Sequence, residues 1–207
     1  MEDLDNALSK ESRKLLAGLI GQRLLFIKHE AFKGGVPGTF QRVGLITDGG
    51  AYCLDNPMDW FDNVFCGPEI ISHLLFFKVE KEEDLERNMG LEDFRRFPVG
   101  ETVTDALLVD DHASVSKKGE HLQFWDSTEG VILRTPAREY AFYKANTMWD
   151  ETVLIYQGRG VLGKMEPLGE HWDVFGVGLT ADVERRLTSL KTGAASPLGS
   201  AKVIGRN

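Results

Sequence analysis

Acidic and histidine side chains that could do chemistry are concentrated in the segment LVDDHASV, residues 108–115. Alternate residues of a β-strand point to the same face, so Asp110 and His112 share one face, and Asp111 points to the other unless a β-bulge intervenes. A carboxylate and an imidazole on one face can bind a divalent metal or act as an acid–base pair. A polar strand end that enters a turn explains the same residues without any chemistry.

A second histidine, His121, follows the turn at Lys117-Lys118-Gly119. It is expected on the next strand, within one or two cross-strand pairs of His112. His112, His121 and Asp110 together would suit a metal-assisted hydrolase, which is one alternative function. No third firm ligand or enclosing pocket can be read from the sequence, so we predict no cofactor and no bound metal.

Two further segments carry only part of a functional motif. In EHWD, residues 170–173, a carboxylate could orient His171, but no serine or cysteine stands in a G-x-S-x-G pattern. GGVPG, residues 34–38, is rich in glycine but lacks the Gly-Lys-Ser/Thr ending of a phosphate loop. We therefore predict no catalytic residues, and the sequence favours a non-enzymatic function.

The composition limits the classes of partner. The 207 residues carry a net charge of −8, and an acidic surface repels phosphate backbones and anionic lipids but attracts basic proteins. We therefore predict a protein partner, and neither nucleic acid nor a membrane. The N-terminus does not look like a signal peptide, and the apolar runs are far shorter than the roughly 18 residues that a membrane span needs. These features, with only two cysteines, predict a cytoplasmic protein with reduced thiols.

Two similar segments are the most distinctive pattern: YCLDNPMDWFDNVF, residues 52–65, and YAFYKANTMWDETVL, residues 140–154. In each, an apolar strand that begins with tyrosine runs into Asn-x-Met, a tryptophan, an aspartate and a second apolar strand. We interpret this as an internal duplication of two β-units, with Trp60 and Trp149 in equivalent positions at sheet edges or at the seam. A chance recurrence of strand and turn patterns is the alternative.

The remaining patterns predict an α+β protein that is mainly antiparallel β-sheet. Apolar spacing predicts an N-terminal helix over residues 4–20, and capping residues around ADVERRLTSLK predict a C-terminal helix. Turn signals every eight to twelve residues predict a β-meander in the second half. The predicted organisation is a first unit over 1–97, a second over 98–192, and a mobile tail over 193–207, with the two units packed as one globular body.

Tryptophans beside acidic residues also suggest a binding surface, because an exposed indole supplies contact area and can receive a cation over its face. If buried, the same tryptophans would only anchor the sheets. We expect a protein-binding protein, of the inhibitor or immunity type, that neutralises a basic partner such as a bacterial toxin. A small-ligand-binding or scaffold protein is the main alternative. The candidate partner-binding residues are Asp59, Trp60, Asp62, Trp149, Asp150 and Glu151.

Overall fold

The computed structural model describes residues 3–30, 38–63, 67–85, 94–145, 150–172 and 178–205. These residues are mostly antiparallel β-sheet, with two α-helices and two short 3₁₀ helices. None of the helices in these ranges is long and apolar enough to span a membrane. The strands are β1 (Leu4–Asn6), β2 (Arg23–Glu30), β3 (Gly38–Phe40), β4 (Arg42–Thr47), β5 (Gly50–Asp55), β6 (Met58–Asn63), β7 (Gly67–Ser72), β8 (Leu75–Val79), β9 (Phe94–Thr102), β10 (Asp105–Lys117), β11 (Glu120–Arg134), β12 (Glu139–Lys144), β13 (Thr152–Gly158), β14 (Leu179–Ser189) and β15 (Ala195–Ile204). The helices are α1 (Lys10–Ala17), α2 (Leu168–His171) and the 3₁₀ helices Glu82–Leu85 and Val161–Lys164.

An eight-stranded sheet and a five-stranded sheet share the main core. The larger sheet has the order β15-β14-β10-β11-β12-β13-β3, with β1 added in parallel to β11, and the smaller has the order β8-β5-β4-β2-β9. Leu108 of β10 packs in one apolar cluster with Leu24 of β2 and Val43 of β4. The same cluster includes Leu16 of α1, which begins after Ser9, whose hydroxyl accepts the backbone N–H of Ser12.

The opposite face of the eight-stranded sheet is covered by α2, the 3₁₀ helix Val161–Lys164 and the β6–β7 hairpin. Trp125 of β11 and Trp172, just after α2, meet edge to face with ring centroids 5.4 Å apart. Ile71 of β7 is buried in the same cluster. Ile71 thus helps to attach the hairpin to the large sheet.

The predicted C-terminal helix is wrong, because the segment forms strand β14. Leu179, Ala181 and Val183 are buried and alternate with less buried residues, which is the period of a strand. The prediction gave too much weight to capping residues and charge order, and missed this alternation. The predicted mobile tail over 193–207 is likewise corrected, since most of it forms β15. An edge strand is held by backbone hydrogen bonds to its neighbour, so few buried side chains are needed.

The N-terminal helix is shorter than predicted. Leu4 lies in β1 and packs against Trp125, on the face of the large sheet opposite to the main core, whereas Leu8 and Leu16 belong to the main core. Leu4 and Leu8 have helical spacing, but the chain turns between them, so their side chains lie on opposite faces of the large sheet. Only Lys10–Ala17 is α-helical.

The first half of the chain contains the antiparallel run β2-β4-β5-β8, and the second half contains the run β10-β11-β12-β13. Tyr52 lies in β5 and Tyr140 in β12, so each is on the third strand of its run. Trp60 follows in β6, whereas Trp149 lies outside the described residues, and its equivalence to Trp60 stays a prediction. The predicted boundary between residues 97 and 98 falls inside β9.

Gly130 supplies the first prediction on stability, because β11 approaches a tyrosine ring there. A Cβ at Gly130 would lie 2.2 Å from Cδ1 of Tyr143, a fully buried side chain. We expect Gly130→Ala to lower the free energy of unfolding by about 1–3 kcal/mol through overpacking. Urea unfolding checks this, with Gly163→Ala as the control, since nothing lies within 4 Å of a Cβ at Gly163. Equal stability of the two variants would contradict the crowding at Gly130.

Candidate functional site

Trp60 and Asp59 lie on β6 with their side chains in solvent. Trp60 is 70% exposed, and the side chain of Asp59 is 69% exposed. Nε2 of His73 lies 3.7 Å from the carboxylate of Asp59, and burial lowers the pKa of His73, which disfavours the charged imidazole. Trp60 is therefore not a buried anchor of the sheets. Asp62 also lies on β6, where it pairs with Pro68.

The second acidic segment meets the first in space. The side-chain amide of Asn56 donates to the backbone carbonyl of Asp150 at 3.0 Å. Burial raises the pKa of Glu151, as does the nearby carboxylate of Asp55, and a hydrogen bond from the backbone of Met58 opposes these effects. Glu151 is thus held against the start of β6. Trp149 lies outside the described residues.

These contacts bring acidic residues to the part of the surface where β6 begins and Trp60 is exposed. We call it the Trp60 patch, and it consists of Asp59, Trp60, Asp150 and Glu151. Within the described part of the chain, none of its three acids forms an ion pair with a lysine or arginine. Asp55 behind it is different, because Arg42 donates to its carboxylate at 2.9 Å. The patch therefore presents uncompensated negative charge beside a large apolar surface.

The three residues of the hydrolase alternative do not form one site. Nδ1 of His112 is 2.6 Å from the carboxylate of Asp126, and Nδ1 of His121 is 3.2 Å from the hydroxyl of Ser114. Both imidazoles lie against the ring of Phe124, at centroid distances of 5.4 and 4.2 Å. Each histidine thus has its own partner on the solvent-exposed face of the sheet.

Asp110 is engaged elsewhere. Its carboxylate accepts a hydrogen bond from the hydroxyl of Thr128 at 2.6 Å and lies 3.3 Å from the guanidinium of Arg13 in α1. Burial raises the pKa of Asp110, and these two contacts oppose that rise. Among the described residues, Asp110, His112 and His121 do not converge as ligands of one metal ion.

A second polar centre is fully buried on the other face of the sheet, and the sequence interpretation missed it. We call it the buried charge cluster. Its members come from β10, β11, β12, α2 and β14, so residues far apart in the chain meet. They are Asp111, Glu129, Lys144, His171 and Arg185.

Asp111 holds one half of the cluster. Nε and a terminal nitrogen of Arg185 each donate to a carboxylate oxygen of Asp111 at 2.6 Å. The indole N–H of Trp172 donates to the same carboxylate at 2.7 Å. A bidentate guanidinium–carboxylate pair is among the strongest ion pairs in proteins, and here it joins β10 to β14.

Glu129 holds the other half, and a β-bulge positions it. Gly130 pairs with Val109 and Thr128 pairs with Asp110, so Glu129 is the extra residue of β11. Its carboxylate lies 2.8 Å from Nε2 of His171 and 3.7 Å from Nζ of Lys144. Burial favours the protonated acid, but Lys144 and His171 outweigh it and lower the pKa of Glu129 to about 2.

The donor atoms of Asp111, Glu129 and His171 all lie within 4.8 Å of one another, which is close enough to surround a metal ion. The two carboxylates are, however, already neutralised by Arg185 and Lys144. A divalent cation would have to displace these hydrogen-bonded cations, and the buried site would gain excess positive charge. The cluster is better explained as an internal ion network.

A signal for this cluster was present in the sequence. Glu129 immediately precedes the apolar run GVIL, and Lys144 ends the apolar run YAFY, so both charges adjoin strands that had to be buried. Charges in such places are rarely buried without a partner. The sequence does not reveal which of these charges pair with each other, because the pairing depends on the β-bulge at Glu129 and on the order of the strands in the sheet.

Comparisons with known proteins give no lead: no protein-family model matches the chain, and no curated protein or solved structure matches it significantly. The function therefore has to be argued from the geometry of the described residues. Two groups of residues are candidates for the functional site, the Trp60 patch and the buried charge cluster. The cluster is closed to solvent, which leaves the patch as the candidate functional site.

Removing one partner of the buried charge cluster should destabilise the protein strongly. We expect Glu129→Gln and Lys144→Met each to lower the free energy of unfolding by about 3–5 kcal/mol, because each leaves an unpaired buried charge. The double variant should lose less than the sum of the two. Urea unfolding of all four proteins measures the coupling.

The matched control is the exposed pair Glu184 and Arg186, whose nitrogen and oxygen lie 2.9 Å apart. The cycle of Glu184→Gln and Arg186→Met should show much weaker coupling, because solvent screens the exposed pair. Additive losses at Glu129 and Lys144 would contradict the ion network.

The depressed pKa of Glu129 predicts a stability loss in acid. The folded pKa of about 2 lies below the ordinary value of 4.5, so ionised Glu129 stabilises the native state above about pH 4.5. This contribution, up to about 3 kcal/mol, is lost as the pH falls toward about 2. Urea unfolding at several pH values should show a smaller acid dependence in Glu129→Gln than in Glu120→Gln, an exposed control. Equal dependence in the two variants would contradict the assignment.

Proposed function

We propose that this chain is a non-enzymatic protein that binds a basic protein partner through the Trp60 patch. The observation that carries the proposal is the 70% exposure of Trp60 on an acid-flanked strand. Tryptophan has a large apolar surface, and a solvent-exposed indole on a regular strand contributes little to the fold. We attribute its exposure to a contact with another molecule, because tryptophan is enriched at the centres of protein interfaces.

The energetics of interfaces support this use of Trp60. Tryptophan is enriched among the few interface residues that carry most of the binding free energy. An indole also attracts lysine and arginine over its face. Asp59, the preceding residue of β6, points to the other face of the strand, so it adds to the long-range attraction of a basic partner. The patch thus offers one apolar centre and an acidic rim, and both suit a basic partner.

Long-range electrostatics favour the same class of partner. The net charge of −8 raises the local concentration of a positively charged protein and speeds encounter. Inhibitor and immunity proteins that neutralise basic toxins of bacteria have these properties, and we propose this role for the chain. The proposal needs no catalytic group.

We also propose that the chain arose by duplication of one β-unit. The support is the four-strand antiparallel order in each half, with Tyr52 and Tyr140 on the third strand of each. The Asn-x-Met-containing segments follow these strands in both halves. In this proposal the first copy extends its segment into β6, which displays Trp60.

Truncation of Trp60 should abolish partner binding without loss of stability. We expect immobilised wild-type protein to retain a basic protein from the lysate of the source cells, and Trp60→Ala to lose it, with a dissociation constant higher by about 30-fold or more. Ile204→Ala is the matched control, because Ile204 is 65% exposed on the distant strand β15. Thermal unfolding should show no change in Trp60→Ala.

Association kinetics test the electrostatic part of the proposal. The association rate constant should fall as salt shortens the Debye length to about 8 Å and below. Asp59→Asn should slow association and weaken this salt dependence, whereas Trp60→Ala should mainly speed dissociation. Retention of the same proteins by Trp60→Ala, or an acidic partner whose association does not depend on salt, would overturn the proposed function.

A further inference from the structure

A cavity of about 290 Å³ lies between the two sheets, away from β6 and the Trp60 patch. One wall comes from β2 and β9 of the five-stranded sheet, with Ile27, His29 and Phe97. The other comes from β12 and β13 of the eight-stranded sheet, with Tyr140 and Ile155. We call this space the inter-sheet cavity.

The cavity is partly open to solvent, because Phe97, Pro98 and Gln157 in its lining are exposed. Its inner wall is held in place by the main core, since protein interiors are packed as densely as organic crystals. The main apolar cluster is otherwise continuous, and Ile27, Tyr140 and Ile155 belong both to it and to the cavity wall. The lining is therefore a formed surface, which is the usual state of a small-molecule site.

Two stacked rings give the cavity a flat side. The imidazole of His29 and the ring of Phe97 are nearly parallel, at 6°, with centroids 4.2 Å apart. His29 is buried, whereas Phe97 is 38% exposed and lies at the border between cavity and solvent. Offset stacking on such a surface is favourable for another planar ring.

The described part of the lining is uncharged. Burial lowers the pKa of His29 and raises the pKa of Tyr140, so both side chains are neutral near pH 7. The described lining residues include no lysine, arginine, aspartate or glutamate, and Gln157 adds one polar amide. A charged ligand would lose its hydration here without meeting an opposite charge, and this loss would weaken its binding. A neutral ligand with one polar group does not have this cost.

We infer that the inter-sheet cavity binds a small, uncharged, planar aromatic molecule of one or two rings, stacked along the wall that contains His29 and Phe97. The volume of about 290 Å³ lies just below the range of about 300–1,000 Å³ for ligand pockets, so the ligand must be small. Tyr140 and Gln157 supply the polar groups that would orient it. This ligand binding is independent of the proposed protein binding, because none of the described residues that line the cavity belongs to β6.

Indole is a suitable probe, since it is neutral, planar and has one N–H donor. We expect isothermal titration calorimetry and saturation-transfer NMR to show saturable binding of indole to the wild-type protein, and none of cyclohexanol. Phe97→Ala should weaken indole binding by about ten-fold or more through loss of the stacked wall. Val99→Trp, on the same wall, should abolish it by filling the cavity.

Phe124→Ala is the matched control. Phe124 is 39% exposed, nearly the same as Phe97, and its ring lies 4.2 Å from that of His121, but it is remote from the cavity. Indole should bind this variant with wild-type affinity, and circular dichroism should show that all variants are folded. The inference would be overturned by the absence of saturable indole binding, or by equal affinity in Phe97→Ala, Val99→Trp and Phe124→Ala.

Discussion

Two carboxylates and two cations are buried under α2, and their need to pair with one another constrains much of the structure. Asp111 and Arg185 join β10 to β14, and Glu129 and Lys144 join β11 to β12. Unpaired, any one of these charges would destabilise the native state by several kcal/mol. The strand order at the centre of the large sheet and the bulge at Glu129 are therefore coupled to one network.

The network also supports the hairpin that carries Trp60. Nζ of Lys144 donates to the backbone carbonyl of Ser72 at 2.9 Å, and Ser72 is the last residue of β7. Asn6 of β1 donates to the same carbonyl at 3.3 Å. A two-stranded hairpin is only marginally stable alone, so these contacts and the buried Ile71 hold it in place. An ordered hairpin would lose less conformational entropy in the binding that we propose at Trp60.

The sequence was sufficient where local patterns determine structure, and insufficient where distant strands meet. Alternation and turn residues predicted the mainly antiparallel sheet, including the opposite directions of Asp110 and Asp111. The helix predicted around residues 181–191 was wrong because capping residues outweighed the alternation of Ala181 and Val183. The cluster around Glu129 joins residues from 111 to 185, and no single-sequence pattern records that register. The inter-sheet cavity likewise depends on how two sheets stack.

Exposed apolar surface such as the indole of Trp60 promotes self-association. At the Trp60 patch, the acids Asp59 and Glu151 oppose it, since two copies of the patch would bring like charges together and leave them partly desolvated. The same acids attract a basic surface. Negative charge around Trp60 thus disfavours a second copy of this chain and favours a cationic partner through one set of side chains. For this reason the exposure of Trp60 and the acidity around it are best understood as a single feature of the surface.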